Sequence, residues 1–435
     1  MLCASAQQFD DWSAAYRIFS RARFAAEPLF APARKAVGQA LGADQPLVAL
    51  MDDTLIRKNG RKIHGTRWMR DPLGPRFQVN LVWGQRFIQL SAALPEADRL
   101  PCRARGIPID LRLCPAAQKP SKGASEEEWK MFRQAQRQTK LSQRGAERLA
   151  ALRQAMDGEQ ENRRRTLIAA VDGSYTNRAV LKQLPERTVL IGRIRKDAKL
   201  YELPAGQDQG RGRPRVYGPL ASTPEQLRQD PAVPWQKIKV HAAGKIREFQ
   251  IKTVAPLRWR GAGKRHNLRL VVVRPLAYRP GKNAKTLYRQ PAYLICTDCD
   301  LSLEKILQYY VWRWEIEVNF RDEKTLIGAG QAQVRAPEAV EKAPQLVVAA
   351  YAYMLLAADL APEKTKNNIQ QPKWRKAKPN ARFTTGQCIS ALRSQLWGLS
   401  IKQNNLKHFD KTRPKPTKSQ KNKKAFHSAA IYATK

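Results

Sequence analysis

The sequence predicts an α/β fold in which buried strands alternate with helices and a β-rich insertion interrupts the alternation. Three observations predict it. Apolar runs of strand length, at 46–54, 166–172, 188–194 and 293–296, are separated by segments patterned as helix. The stretch 197–285 is instead dense in Gly, Pro and basic residues and carries further β-like runs at 248–254 and 268–273. Hydrophobic residues make up 43% of the chain, enough to bury a core and to set aside a disordered basic protein.

Each element follows from its residues. Residues 1–45 are expected to be helical, because Phe9, Trp12, Tyr16, Phe19 and Phe24 recur at spacings near three and four. The run 46–54 is apolar until Asp52 and Asp53, so it reads as a buried strand delivering carboxylates at its C-terminal end. A basic loop follows, holding Arg57, Lys58, Arg61, Lys62, His64, Arg67 and Arg70. Residues 76–83 and 85–92 read as two strands turning at Gly84, and the Pro-rich 95–125 as loop. One long amphipathic helix is predicted from 125 to 156, with Ser125 as N-cap and Glu126, Glu127 and Glu128 in its first turn.

The run 166–172 is a second buried strand ending in an acid, Asp172, followed by a short helix at 177–183 and a strand at 188–194. After the insertion, 293–296 returns to a buried strand, 303–326 reads as one helix and 344–360 as a largely apolar one. Beyond it the chain is rich in Lys (Lys411, Lys415, Lys418, Lys421, Lys423, Lys424), the composition of a disordered tail that holds nucleic acid without sequence preference. The expected organisation is an N-terminal helical segment at 1–45, a core in two parts at 46–196 and 291–360, the insertion at 197–290, and a basic C-terminal region at 361–435.

Charge narrows the function. The chain has 435 residues and a mass of 49.4 kDa, and its 79 Lys and Arg against 37 Asp and Glu give a formal charge of +42 and a pI near 10.5. A folded chain this basic needs a polyanion, since its own charges repel. Nucleic acid is the first candidate, because neutralising phosphates releases counterions. An anionic membrane surface is the second, but no basic amphipathic helix stands out. The apolar run 346–360 is broken by Tyr351, Tyr353 and Asp359 and falls short of the ~18–20 residues a bilayer demands. No secretory pattern opens the sequence, and six scattered cysteines make no disulfide framework. The expectation is a reduced, cytoplasmic, nucleoid-associated protein that faces double-stranded DNA and has no membrane partner.

Acids at the ends of two buried strands point to chemistry, because a carboxylate there persists when it pairs with a cation or binds a metal. Hard oxygen ligands suit Mg²⁺, which makes Asp52 (or Asp53) and Asp172 a candidate pair; the plainer alternative is that acids begin the loops after strands. The helix at 303–326 adds Tyr310, Arg313, Glu317 and Lys324, which fall within about 60° of arc at 100° per residue. Glu315, Asp322 and Glu323 point elsewhere. A carboxylate between two cations suits a metal–phosphate site, although spacing alone favours a surface i, i+4 pair of Arg313 and Glu317, worth about 0.2–0.5 kcal/mol.

The spacing Tyr310-x2-Arg313-x3-Glu317-x6-Lys324 resembles the Tyr-Arg-Glu-Lys signature of bacterial insertion-sequence transposases of the DDE class, complete at all four positions. Asp52-Asp53-Thr54 resembles the Asp-x-Thr of that family's first strand, and Val171-Asp172 its second aspartate. The resemblance covers roughly residues 46–360 and implies an RNase H-like mixed sheet flanked by helices, with the β-rich insertion before the catalytic helix. It implies that Asp52, Asp172 and Glu317 are catalytic and hold two Mg²⁺ ions, with Mn²⁺ able to substitute, about 3.5–4 Å apart in sites of this type. Tyr310, Arg313 and Lys324 would grip DNA phosphate. The implied reaction is phosphodiester hydrolysis and strand transfer at element ends, into target DNA, by a homodimer in the DNA complex. Because neighbouring strand residues face opposite ways, only one of Asp52 and Asp53 can point inward, and Asp52 takes the Asp-x-Thr register. The segment 1–45 is short for a separate end-recognition domain, so end binding is spread elsewhere or the reading frame is a trimmed one.

Other motifs are weaker. Cys296-x2-Cys299 lacks a second pair, and the five histidines, His64, His241, His266, His408 and His427, show no ligand spacing, so zinc is not expected. Arg211-Gly-Arg-Pro214 resembles an AT-hook core, but so short a match reads first as a plain basic loop. Gly261-Ala-Gly-Lys264 lacks the spacing of a phosphate-cradling loop. Trp312 and Trp314 read as helix-packing residues rather than base-stacking ones.

Overall fold

A computed structural model describes residues 13, 17, 24–25, 27–204, 215–361 and 382–403, apart from 72–73, 76, 79, 264–265, 280–283 and 333. The expected aromatic face at Phe9–Phe19, the segment 211–214 and the Lys-rich tail lie outside the described residues. Two compact units emerge: one spans Glu27–Arg321, and the other comprises Met1–Ala26 with Asp322–Lys435.

The larger unit is a mixed α/β fold, a large mixed sheet flanked by helices, consistent with an RNase H-like fold. Its chain order is α1 (Glu27–Ala40), β1 (Leu47–Arg57), β2 (Arg67–Arg70), β3 (Leu81–Pro95), β4 (Ala104–Leu113), α2 (Glu126–Gln138), α3 (Leu141–Asp157), β5 (Leu167–Val171), α4 (Arg178–Lys182) and β6 (Thr188–Arg193). Then come β7 (Leu200–Tyr201), α5 (Pro224–Gln229), β8 (Gln236–Ala242), β9 (Lys245–Trp259), β10 (Leu268–Val273), the small pair β11 (Ala277–Tyr278) and β12 (Leu287–Tyr288), β13 (Ala292–Cys296), α6 (Leu303–Trp312) and α7 (Trp314–Asp322). Among the described residues the main sheet runs β2-β3-β1-β5-β6-β13-β10-β9-β7, with β4 also on β3 and β8 also on β9. Strands β1, β5 and β6 are parallel and the other pairs antiparallel. Of the strands in the 197–290 stretch, β7, β8, β9 and β10 thus extend the same sheet, whereas β11 and β12 form a separate two-stranded one.

Burial explains the centre. Leu47–Met51 and Leu167–Val171 are buried at every position, as parallel strands covered on both faces must be. One face, carrying Val48, Leu50, Ile168 and Ala170, packs on α6 and α7 through Ile306, Leu307, Trp312 and Ile316. On the other face α3 comes so near that a Cβ on Gly145 would stand 2.7 Å from the Tyr175 ring and 3.3 Å from Met51.

Several sequence expectations are corrected. Strand β1 does not end at its acids but continues to Arg57, because β3 pairs with it from Ala49 to Arg57 after β5 has stopped at Met51. Gly84 is no turn: β3 is one 15-residue strand, and Gly84 is needed where a Cβ would lie 2.4 Å from the Ile56 carbonyl oxygen. The Pro-rich 95–125 contains β4, whose Pro108 sits at a bulge on the outer side of β3, where a missing N–H is tolerated. The predicted helix 125–156 is two helices. Ser125 and Glu128 close a capping box on α2, and Thr139 ends it by donating its hydroxyl back to the Ala135 carbonyl at 2.9 Å.

Arg165 ties the entry of β1 to α1. Its guanidinium donates to the carbonyls of Gly38 (2.9 Å), Leu41 (3.1 Å), Gly42 (2.6 Å) and Gln45 (2.6 Å), closing the open end of α1. Arg165→Ala is expected to lower unfolding free energy by about 3 kcal/mol, since these carbonyls lose a charged donor. A shift in the urea midpoint equivalent to less than about 0.5 kcal/mol would show that water replaces the arginine without loss.

In the second unit, Glu323–Ile327 winds as a π turn closed by Gly328 at φ 76. It is followed by α8 (Pro337–Leu360) and α9 (Thr385–Gln403). Thr385 donates to Asp322 at 2.6 Å. Helix α8 starts at Pro337, seven residues earlier than expected, with Pro at its first position and Pro344 inside. At 24 residues it is, by length and composition, apolar enough to cross a membrane, contrary to the shorter run read from sequence, and half of that stretch is buried.

Candidate active site

Register builds the site. Met51 pairs with Val171 across the parallel β1–β5 ladder, so the next residues, Asp52 and Asp172, are neighbours where β5 ends. Alternation puts Asp52 on the face of Val48 and Leu50, toward α6 and α7, and Asp53 on the opposite face. The contacts agree. Asp52 accepts from Arg313 at 2.8 Å, whereas Asp53 accepts from the Tyr175 hydroxyl at 2.9 Å and lies 3.4 Å from the Arg86 guanidinium. Asp172 accepts from the Ser174 amide (2.9 Å) and hydroxyl (3.1 Å), which fixes its carboxylate at the head of the loop.

Helices α6 and α7 supply the rest, but not as the single straight helix expected. The chain tightens at Arg313: its amide donates to the Tyr310 carbonyl, and the Ile316 amide donates to that of Arg313, both spanning three residues. This brings Arg313 over the Tyr310 ring, 6.0 Å from its centre, while its second amino group donates to Glu317 at 2.9 Å. Arg313 therefore forks, one prong on Asp52 and one on Glu317. Two bonds anchor the helices to the strand side: Trp312 donates to the Cys102 carbonyl and Asn319 to that of Gly106, each at 3.0 Å. A Cβ on Gly106 would stand 2.6 Å from Asn319, so glycine lets α7 lie this close.

Electrostatics mark the cluster. Burial pushes the Asp52 carboxyl up to about 7; Arg313 pulls it down and Asp172 pushes it up again. Burial also raises Asp53, against the pull of Arg86 and Tyr175, and Asp172 adds to the rise. Burial raises Tyr310, which Arg313 and Arg193 offset in part. Burial works against the Arg313 charge, yet Asp52, Tyr310 and Glu317 hold its pKa above the ordinary value.

Five of the six expected site residues, Asp52, Asp172, Glu317, Arg313 and Tyr310, thus share one neighbourhood. Lys324 does not join the same straight stripe: it is exposed in the π turn of the second unit, where 100° per residue no longer applies. No local pattern in the sequence marks Arg86, which reaches Asp53 through strand pairing, Tyr175, which reaches it from the loop after β5, or Arg193, which acts on Tyr310. Trp312 is core as expected, but Trp314 is exposed. Cys296 is buried, and burial pushes its thiol up to about 12.

Among the described residues no three His, Cys, Asp or Glu side chains are already arranged to hold a metal ion. Arg313, a cation, stands between Asp52 and Glu317. The donor chemistry nevertheless fits a hard divalent ion: oxygen ligands only, desolvated, and carrying more negative charge than one guanidinium offsets.

Residues 6–265 match the family described as DDE superfamily endonuclease. The match takes in Asp52, Asp53 and Asp172 and stops before α6 and α7. Enzymes of this family generally use divalent metals and act on DNA. No curated protein matches the chain.

Proposed function

The chain belongs to the DDE superfamily endonucleases, and we propose that it is an insertion-sequence transposase of the bacterial Tyr-Arg-Glu-Lys type, which cleaves phosphodiesters at the ends of its element and joins those ends to target DNA. The observation that carries this reading is the convergence of Asp52, Asp172 and the Arg313–Glu317 pair on one sheet face. Asp52, Asp172 and Glu317 are the proposed holders of two Mg²⁺ ions, with Mn²⁺ as substitute. When bound, such ions activate the attacking hydroxyl and stabilise the leaving oxygen.

The chain's own residues do the positioning. Arg313, held by two carboxylates and laid over Tyr310, offers guanidinium N–H groups to a phosphate oxygen in the fork geometry that lysine lacks. Tyr310 keeps its proton, raised by burial, and so donates to phosphate rather than repelling it. Lys324 in the same role rests on the signature alone. Partial burial of Asp52 and Arg313 keeps bulk water from screening these contacts. Pairing two element ends calls for a homodimer in the DNA complex.

The test is cleavage of a supercoiled plasmid carrying the reading frame's own flanks, in Mg²⁺ and in EDTA, with a labelled end fragment to read joining. Cuts at the element ends that need Mg²⁺, and labelled joints to plasmid, are expected. Cutting without joining would reduce the protein to a nuclease, and tight binding without cutting would make it a DNA-binding derivative.

A further inference from the structure

Strand β1 carries its sheet face beyond Asp52 to a second surface that the phosphodiester chemistry does not use. Asp52 pairs with Gln89, and the antiparallel register runs unbroken to Arg57 opposite Gly84. There β2 takes over on the other side of β3, with Arg67 opposite Gly84 and Trp68 opposite Trp83. Directly paired residues share a face, and Gln89 and Trp83 are an even number apart, so Asp52, Gln89, Trp83 and Trp68 all lie on one face.

Trp68 is held out for a partner. It is 58% exposed, and its ring meets Trp83 edge-on, centroids 5.6 Å apart at 65°, leaving a broad face to solvent. Trp83 is held by its indole N–H, which donates to the Gly60 carbonyl at 3.0 Å. Leu81 is exposed on the same face, opposite Arg70. The surroundings are cationic: residues 57–70 contain six Arg and Lys and no Asp or Glu.

We propose that Trp68 is a stacking platform for an unpaired base of the DNA substrate, with the exposed Arg61, Lys62 and Arg70 holding the flanking phosphates. The proposal rests on the DNA-endonuclease reading above. A π-face beside exposed cations is what a displaced base and its backbone fit, and Arg61, Lys62 and Arg70 are exposed around it. Geometry also sets the distance. Six residues of strand separate Gln89 from Trp83, about 20 Å at 3.3 Å each. At 3.4 Å per nucleotide along one strand, the stacked base lies about six nucleotides from the scissile phosphate.

The test compares the full-length wild type with Trp68→Ala and Trp68→Phe on two 30-base-pair duplexes, one fully paired and one with a single bulged 2-aminopurine. Wild type is expected to bind the bulged duplex about 5- to 100-fold more tightly, to change the 2-aminopurine fluorescence on binding, and to cut about six nucleotides from the bulge. Trp68→Ala should lose the preference and the fluorescence change while binding paired DNA as before, and Trp68→Phe should keep most of both. Wild type that binds and cuts paired DNA without preferring the bulge overturns the platform but not the endonuclease. So does Trp68→Ala with the preference intact, or with equal loss on both duplexes. Trp68→Ala that instead abolishes self-association overturns it in favour of a second copy of the chain. Wild type that binds neither duplex brings down the endonuclease reading itself.

Discussion

Replacing Asp172 with Asn, or Glu317 with Gln, is expected to cut metal-dependent DNA cleavage by ~10³-fold or more, whereas Asp53→Asn should stay within about 10-fold of wild type. The contrast follows from strand alternation. Asp52 stands on the face of Arg313 and Glu317, beside Asp172, while Asp53 faces Tyr175 and Arg86 on the opposite side. An amide in place of Asp172 keeps the size and the bonds from Ser174 but removes the charge that a divalent ion requires. At Asp53 the Asn oxygen still accepts from Tyr175. The measurement is single-turnover cleavage in Mg²⁺, with circular dichroism to show that each variant folds. If Asp53→Asn proves as damaging as Asp172→Asn, the acid partner of Asp172 lies on the other face and the proposed metal set is wrong.

What made these positions legible was local chemistry. Two buried apolar runs ending in acids, and a Tyr, Arg and Glu at helical spacing, carry their meaning without reference to distant residues. The rest depended on partners that no local pattern encodes. Arg86 reaches Asp53 only because β3 pairs with β1 in one register, and Tyr175 only because the loop after β5 packs against Gly145. Gly84 read as a turn because glycine marks both turns and close strand crossings, and only the Ile56 carbonyl distinguishes them. Strand β4 was masked by the Pro-rich stretch around it and by its one proline, Pro108, which the bulge accommodates. The tightening at Arg313 left no signature, since neither Gly nor Pro is involved; the forked contact to Asp52 and Glu317 fixes it from outside the helix.

That fork is also where stability and function meet. Arg313→Ala is expected to abolish most cleavage and, in metal-free buffer at pH 8, to lower unfolding free energy by about 2–4 kcal/mol. The guanidinium is the cation that Asp52 and Glu317 share, and without it two partly buried carboxylates face Asp172 with no local counter-charge. The pH dependence has a definite sign. Asp52 in the fold holds its proton up to about pH 7, above the 3.8 of the open chain, so its protonated form is the one folding favours. The stabilisation from this proton is complete below about pH 3.8 and is lost as pH rises through about 7. Removing Arg313 removes the group that pulls Asp52 downward, so the variant should be closest to wild type near pH 5.5 and furthest from it at pH 8. Arg313→Lys should recover only part of the loss, because one ammonium cannot reach both carboxylates in the fork geometry. Mg²⁺ supplies the missing charge to the folded state alone and should stabilise Arg313→Ala more than wild type, in which the arginine competes for the same oxygens. Urea unfolding at pH 5.5 and 8, with and without Mg²⁺, decides the matter. An Arg313→Ala deficit that is the same at both pH values and indifferent to Mg²⁺ would mean that the arginine is a packing residue and that Asp52 and Glu317 do not share a cation site.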